Sequence, residues 1–377
     1  TLLNSLDNFR FEFKYYTNIG DQVKFIHDTI SINRSLDVNP HSAASIADVK
    51  FVKQNKLEIA ANRPFKSAFS IINYTWALFW WFMLATSMMF LRDLGYIIRL
   101  RVLTNNQLSW YQAFRIIMIW EFTSAVTPSA VGGTSIAIFL LNKEGINVGK
   151  STAVVMATII LDEIYFIIFA PLLIFIVGKS ILFTITSNNP ALQSLSEEMF
   201  WIFISGFSVI LIFSLIIAYG LFINPRKIKW LIIHLFRIPF LRKWRQDAMQ
   251  WGNELMAASK ELKGESLSFW AKAWWSTFLS WTARYWIVNI LLVSILPINN
   301  HLLIFARQLV MWIMMVISPT PGGSGFSEYV FTVYLGEFIP DGMPTTFALI
   351  WRLITYYPYL LIGAIILPRW IRKNITK

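Results

Sequence analysis

Apolar residues are gathered into seven long blocks, and polar residues collect between the blocks instead of alternating with them. Five blocks, at 68–91, 150–177, 199–223, 268–295 and 343–367, each hold the ~20 residues a helix needs to cross a hydrocarbon core. They predict five full membrane spans. Tryptophans crowd several ends: Trp76, Trp80 and Trp81 in the first, Trp270, Trp274 and Trp275 in the fourth, and Trp370 beyond the last. Such amphipathic rings collect at the membrane–water boundary.

The other two blocks, 113–141 and 302–338, are interrupted near their middles. The first contains Thr127-Pro128 followed by Gly132-Gly133. The second contains Pro319-Thr320-Pro321-Gly322-Gly323-Ser324-Gly325. Proline removes a backbone donor and glycine permits non-helical backbone. In hydrocarbon such a break survives only against protein or a watery cavity. Both blocks are expected to be re-entrant helical hairpins. The fold class expected is an all-α polytopic membrane protein with about five full spans and two hairpins.

Charge orients the spans. The 92–115 stretch carries Arg92, Arg99, Arg101 and Arg115 against Asp93, the 224–267 linker carries nine Lys or Arg, and the tail carries Arg369, Arg372, Lys373 and Lys377. Basic loops stay in the cytoplasm, so these three are placed inside. The loops at 178–198 and 336–342 carry Glu197, Glu198, Glu337 and Asp341 against Lys179 alone, and are placed outside. Parity then brings hairpin 113–141 in from the cytoplasm and hairpin 302–338 in from outside. The halves 67–223 and 268–377 become candidates for an inverted repeat, a common plan in secondary transporters.

Residues 1–66 hold no span and are placed outside. Phe9, Phe11, Phe13 and Tyr15 alternate with Arg10, Glu12 and Lys14, a half-buried strand pattern. The chain begins at Thr1, and a helix upstream of it would bring the N-terminus inside without changing the later topology. Within the linker, Trp244, Ala248, Trp251, Leu255 and Leu262 share one helical face. That face suits either the cytoplasmic membrane surface or the end of the helical bundle.

Composition narrows the function. The 377 residues are 56% hydrophobic and only 14% charged, against about 25% charged in soluble domains. An ordinary soluble enzyme is excluded. The absence of cysteine excludes disulfides, thiolate metal sites and cysteine nucleophiles, and His27, His41, His234 and His301 lack metal-ligand spacing. The net charge of +12 is explained by basic loops, so no nucleic-acid partner is expected. No nucleotide-binding motif is present, and no cofactor, metal or catalytic triad is expected.

Ionisable groups at membrane depth cost a few kcal/mol each, roughly 2.5–3.5, and so mark a cavity or a partner. They are Glu121, Asp162, Glu163, Arg284, Arg307, Glu328 and Arg352. Glu121 and Glu328 each lie near a break. Asp162 and Glu163 point about 100° apart on one helix, so one is expected to meet a base and the other a cavity. Arg284 and Arg352 are candidates to neutralise a carboxylate or to hold a lipid phosphate, whose oxygens match the guanidinium fork. Arg307 sits nearer an interface. The substrate-binding set is completed by Thr127, Pro128, Gly132, Gly133, Pro319, Thr320, Pro321, Gly322, Gly323, Ser324 and Gly325 around the breaks.

These residues carry a resemblance. Arg99-Leu-Arg101, Glu121 with Thr127-Pro128 and Gly132-Gly133, Pro319 to Gly325 with Glu328, and Trp351-Arg352 resemble the transmembrane region of the lysylphosphatidylglycerol synthase/flippase family, over about 68–370. The resemblance implies two opposed re-entrant elements around a central lipid cavity and movement of phospholipids or other polar lipids between leaflets. Fused members carry a synthase domain. Only nine residues follow Pro368 here, so a stand-alone flippase-like protein is expected. Its expected setting is the bacterial cytoplasmic (inner) membrane with a cytoplasmic C-terminus. Transport would be passive or ion-coupled, with Asp162, Glu163 or Glu328 taking a proton. A homo-oligomer or an envelope protein partner stays open. The alternatives are a membrane-embedded enzyme acting on a polyprenyl or lipid phosphate, and an envelope scaffold.

Overall fold

The structure, a computed structural model, describes residues 10–19, 22–31, 76–127, 129–184, 190–235, 237, 245–294, 299–316, 318, 320–339 and 343–374. The chain divides into two compact units, Thr1–Arg63 and Pro64–Lys377.

The first unit contains two antiparallel strands, β1 (Arg10–Ile19) and β2 (Gln22–Ser31). Phe11, Phe13 and Tyr15 alternate along β1 and pair with Ile30, Asp28 and Ile26. The expected strand pattern thus becomes one arm of a hairpin, with Phe9 outside the described residues.

The second unit is helical. Among the described residues, four helices are long and apolar enough to cross a bilayer: Trp76–Leu103 (α1), Val148–Val177, Glu198–Ile223 and Pro344–Arg372. Side chains on them face outward as no aqueous surface would allow, such as Phe175 at 87% exposed and Leu361 at 68%. The protein is therefore a multi-pass, helical membrane protein with at least four long spans. The fifth expected span is helical over Leu267–Val293 but less apolar than the four, because Lys272, Arg284 and Asn289 interrupt it.

Helix α1 corrects one expectation. It does not stop at residue 91 but continues through Arg92 and Arg99 to Leu103. Arg92, Arg99 and Arg115 are buried and each pairs with a carboxylate, so they are not loop charges. The helix persists because Leu94, Gly95, Tyr96, Ile97, Ile98 and Leu100 keep the segment apolar between the two arginines.

The first broken block forms α2 (Trp110–Val126) and α3 (Ser129–Lys143). Ser109 and Gln112 cap α2 reciprocally, each side chain taking the other's backbone N–H. The helices fold back on each other. Gln112 and Arg115 at the start of α2 both donate to Glu144 just beyond α3, at 2.9 and 2.7 Å. Seventeen residues of α2 then carry the break about 25 Å from that base.

The next helices are α4 (Val148–Val177), α5 (Lys179–Phe183), α6 (Pro190–Ala218, closed by a π turn to Ile223), α7 (Pro225–Leu235) and α8 (Arg245–Gly264). Of the two settings open to the linker's apolar face, the structure shows α8 packed on protein. Leu255, Ala258 and Leu262 are buried, the Ser259 hydroxyl bonds the Leu221 carbonyl, and Glu254 accepts from Gly149 N–H at the start of α4.

Then come α9 (Leu267–Val293), α10 (His301–Met315), α11 (Phe326–Tyr334), α12 (Pro344–Thr355) and α13 (Tyr357–Asn374). The second broken block is α10 and α11, joined by a short 3-10 turn at Pro321–Gly323. Arg307 ties the two ends of this block together. Its guanidinium donates to the carbonyls of Tyr334, Ile181 and Thr184 and pairs with Glu337 at 2.9 Å.

The outer ends of the first broken block lie near the start of α4, and the Trp370 indole N–H of α13 donates to Glu144 there. The outer ends of the second lie with α5, just beyond the end of α4. The thirty residues of α4 span about 45 Å between them.

Helices α1 and α9 cross closely. A Cβ on Gly95 would lie 2.3 Å from Ser280 Oγ and 2.7 Å from the Ser276 carbonyl. Gly95→Val should therefore force the pair apart and destabilise the fold by about 1–3 kcal/mol, read as a lower thermal unfolding midpoint in detergent, whereas Gly264→Ala, with open space around it, should leave the midpoint unchanged.

Candidate functional site

The site is assembled from three charge clusters that share a bundle interior. In the first, Arg92 is only 1% exposed and donates to Glu121 at 2.6 Å, to Asp93 at 2.8 Å and to the Tyr359 hydroxyl at 2.8 Å. Tyr359 in turn donates to Asp93. In the second, Arg99 grips Asp162 through both terminal nitrogens, and Asp162 also accepts from the Trp281 indole at 2.7 Å. Arg92 and Arg99 stand seven residues apart, two helical turns, so they share a face of α1. Tyr96 lies between them, its ring 4.6 Å from one guanidinium and 4.7 Å from the other.

The third cluster is at the second break. Arg352 donates to Glu328 at 2.7 Å and to the Gly322 carbonyl at 2.9 Å. Glu328 accepts from Gly325 N–H and from the Ser327 hydroxyl. The break needs its glycines: Gly322, Gly323 and Gly325 all have positive φ.

The two breaks meet. Helix α2 ends at Thr127, whose hydroxyl turns back to the Thr123 carbonyl. One residue earlier than Val126, the Ala125 carbonyl accepts from the Tyr356 hydroxyl at 3.0 Å. Gly322 sits against the same two groups: a Cβ there would lie 2.5 Å from the Tyr356 ring and 3.0 Å from the Ala125 oxygen. Tyr356 itself interrupts the last span, between α12 and α13. Arg352 and Tyr356, one turn apart, therefore touch both breaks.

With this geometry in hand, comparison with known proteins is decisive on family. The lysylphosphatidylglycerol synthase TM region family matches residues 63–363. The chain belongs to that family. It is also 27% identical over 279 residues to a protein from Archaeoglobus fulgidus described as "UPF0104 membrane protein", covering 71% of this chain and 80% of the relative.

This family member places its expected site residues unequally. Glu121, Asp162, Glu328 and Arg352 are all held in ion pairs. Gly133 is the close approach of α2 and α3, where a Cβ would strike Ser124 Oγ. Thr127, Thr320, Pro321, Gly322, Gly323, Ser324 and Gly325 lie at the breaks, with Thr320 and Ser318 sharing a hydroxyl hydrogen bond. Gly132 lies within α3. Pro128 and Pro319 fall outside the described residues. Glu163 leaves its Oε2 buried without a hydrogen-bond partner. Among the described residues Arg284 pairs with no carboxylate, and it rests on Trp312 at 4.2 Å. Arg307 is 2% exposed and ties the two ends of the second broken block through the carbonyls of Tyr334 and Thr184.

Four members of these clusters were not singled out from sequence: Asp93 and Arg92, taken as loop charges, and Tyr356 and Tyr359 in the last span. The seven-residue spacing of Arg92 and Arg99 within an apolar run was the usable signal. The tyrosines had none, since their roles depend on which carbonyl and carboxylate the fold brings near.

Breaking a buried pair from one side leaves the other charge uncompensated, at about 3–5 kcal/mol. Arg99→Leu should lower stability by that order and the pair Arg99→Leu with Asp162→Leu should recover most of it, as measured by thermal unfolding of the purified protein.

Proposed function

We propose that this protein moves a phospholipid or another polar lipid between the two leaflets, the headgroup passing the joined breaks while the acyl chains stay in the bilayer. The observation that carries this is the meeting of the two breaks at Tyr356 and Arg352. There, backbone released from helical bonding, a carboxylate and a guanidinium occur at one point within an apolar bundle. Polar groups at membrane depth are affordable only where they serve a partner or a passage. Family membership supports the same reading.

In this proposal both broken blocks are re-entrant and enter from opposite faces, with α9 as a fifth span. The contacts at opposite ends of α4 support that arrangement. The basic linker and tail face the cytoplasm of a bacterial cell. Transport is passive or driven by an ion gradient. A second reading is favoured by one observation: Arg352 reaches the Gly322-Gly323-Ser324 turn, gathering serine, glutamate and arginine as a lipid-phosphate hydrolase would require. Release of phosphate from a prenyl pyrophosphate by the purified protein is its test.

The chain has no cysteine, so single introduced thiols report cleanly. Tyr111→Cys and Lys143→Cys should react with a membrane-impermeant maleimide from one face, and Leu302→Cys and Gly336→Cys from the other. Labelling of 111 and 143 from opposite faces would end the re-entrant arrangement. In vesicles of phosphatidylglycerol and phosphatidylethanolamine, the reconstituted protein should expose inner-leaflet fluorescent lipid to dithionite. Glu328→Gln or Arg352→Gln should slow that exposure about tenfold, close to the loss of one charged hydrogen-bonded pair. Wild-type vesicles no faster than protein-free ones would overturn lipid movement.

A further inference from the structure

The last span is divided between the two broken blocks. Its first half, α12, is tied to the second block: Arg352 holds Glu328 and the Gly322 carbonyl, and the Trp351 ring stacks on Phe331 at 5.1 Å. Its second half, α13, is tied to the first block and to α1. Gly363 lies so close to Phe122 of α2 that a Cβ there would collide with it, Trp370 donates to Glu144, and Tyr359 joins Arg92 and Asp93. Between the halves stands Tyr356, near the middle of the span Pro344–Arg372.

The chain has a reason to bend there. Pro358 has no N–H to offer the Ile354 carbonyl, and its ring crowds that carbonyl. Tyr356 leaves the helical conformation at φ −128° and ψ −57°, and the bond that follows is a tight one, from Tyr359 N–H to the Tyr356 carbonyl. A helix interrupted in this way bends at the interruption. Tyr356 is carried by α12: its N–H bonds the Arg352 carbonyl at 2.9 Å, and its ring lies 4.4 Å from the Arg352 guanidinium. Its hydroxyl, however, crosses to the other block and donates to the Ala125 carbonyl at 3.0 Å. That carbonyl is in the last turn of α2, where helix acceptors lack partners of their own.

We propose that the joint at Tyr356–Pro358 is a hinge and that the Tyr356 hydroxyl is its latch. Bonded to Ala125, the hydroxyl holds the two breaks shut against each other between crossings. Released, it lets α12 and the second break swing away from α13 and the first. This rests on the lipid-transport reading above and adds its control. The latch suits that task because it is a single bond between neutral groups, worth far less than the ion pairs that hold each half together. The ion pairs Arg92–Glu121 and Arg352–Glu328 each lie on one side of the hinge and stay intact as it opens.

In vesicles of phosphatidylglycerol and phosphatidylethanolamine, Tyr356→Phe deletes only the latch hydroxyl. It should expose inner-leaflet fluorescent lipid to dithionite about fivefold faster than wild type, the shift expected from one neutral hydrogen bond. Pro358→Ala, which returns a donor to the joint, should slow exposure severalfold. A tyrosine that merely supported the fold would slow transport when altered, so the opposite signs separate control from stability. A Tyr356→Phe rate at or below wild type, or a Pro358→Ala rate at or above it, would overturn the hinge. The chain has no cysteine, so Val126→Cys with Ser324→Cys, both exposed at the breaks, offers a clean pair for a short bis-methanethiosulfonate. Transport should stop on bridging and return with dithiothreitol. Bridged protein as fast as the reduced protein would overturn the gate, and this arm decides if Tyr356→Phe fails to fold. Spin labels at the same two positions keep this proposal apart from the transport reading. In detergent, Tyr356→Phe should move the label pair toward longer separations. Identical separations in wild type and Tyr356→Phe would remove the latch even if lipid moves. Longer separations in Tyr356→Phe, with no lipid movement by the wild type, would leave the hinge standing and remove the transport reading alone.

Discussion

Five guanidiniums inside an apolar bundle set the terms for the rest of this structure. Each would be ruinous in hydrocarbon unless met by an acceptor. The fold meets them with carboxylates from distant segments: Arg92 of α1 with Glu121 of α2, Arg99 with Asp162 of α4, Arg352 of α12 with Glu328 of α11. Those pairings fix which helices are neighbours more sharply than apolar packing can. Leucine and phenylalanine faces are interchangeable against lipid, whereas a buried arginine accepts few positions.

The same constraint ties the ends of each broken block. Arg115 and Glu144 join the ends of the first, and Arg307 joins those of the second through three carbonyls and Glu337. Between those ties the interruptions meet, where Ala125 and Gly322 come together at Tyr356. The backbone irregularity is thereby covered by protein, as an irregular segment at that depth must be.

Much of this was legible along the chain. Long apolar blocks marked the four long spans, and the interruptions near Thr127 and at Pro321-Gly322-Gly323 located the breaks. Asp162 and Glu163 were expected to divide their roles, and Asp162 alone found a base. The 92–103 region was misjudged because counting basic residues cannot distinguish a cytoplasmic loop from a helix whose arginines turn inward to carboxylates. The partners of Arg307 were not readable for a related reason: its acceptors are mostly backbone carbonyls, which leave no trace in residue types. The linker helix α8 left two settings open until Glu254 and Ser259 were seen bonded to α4 and to Leu221.

Tyr356 gives the last span a further property. Its hydroxyl is fastened to the end of α2, its ring lies against Gly322, and Arg352 one turn earlier holds the Gly322 carbonyl. Neither elbow can shift without straining a bond to the same short piece of helix. The two bends are one joint with a single pin, the turn of helix from Arg352 to Tyr356.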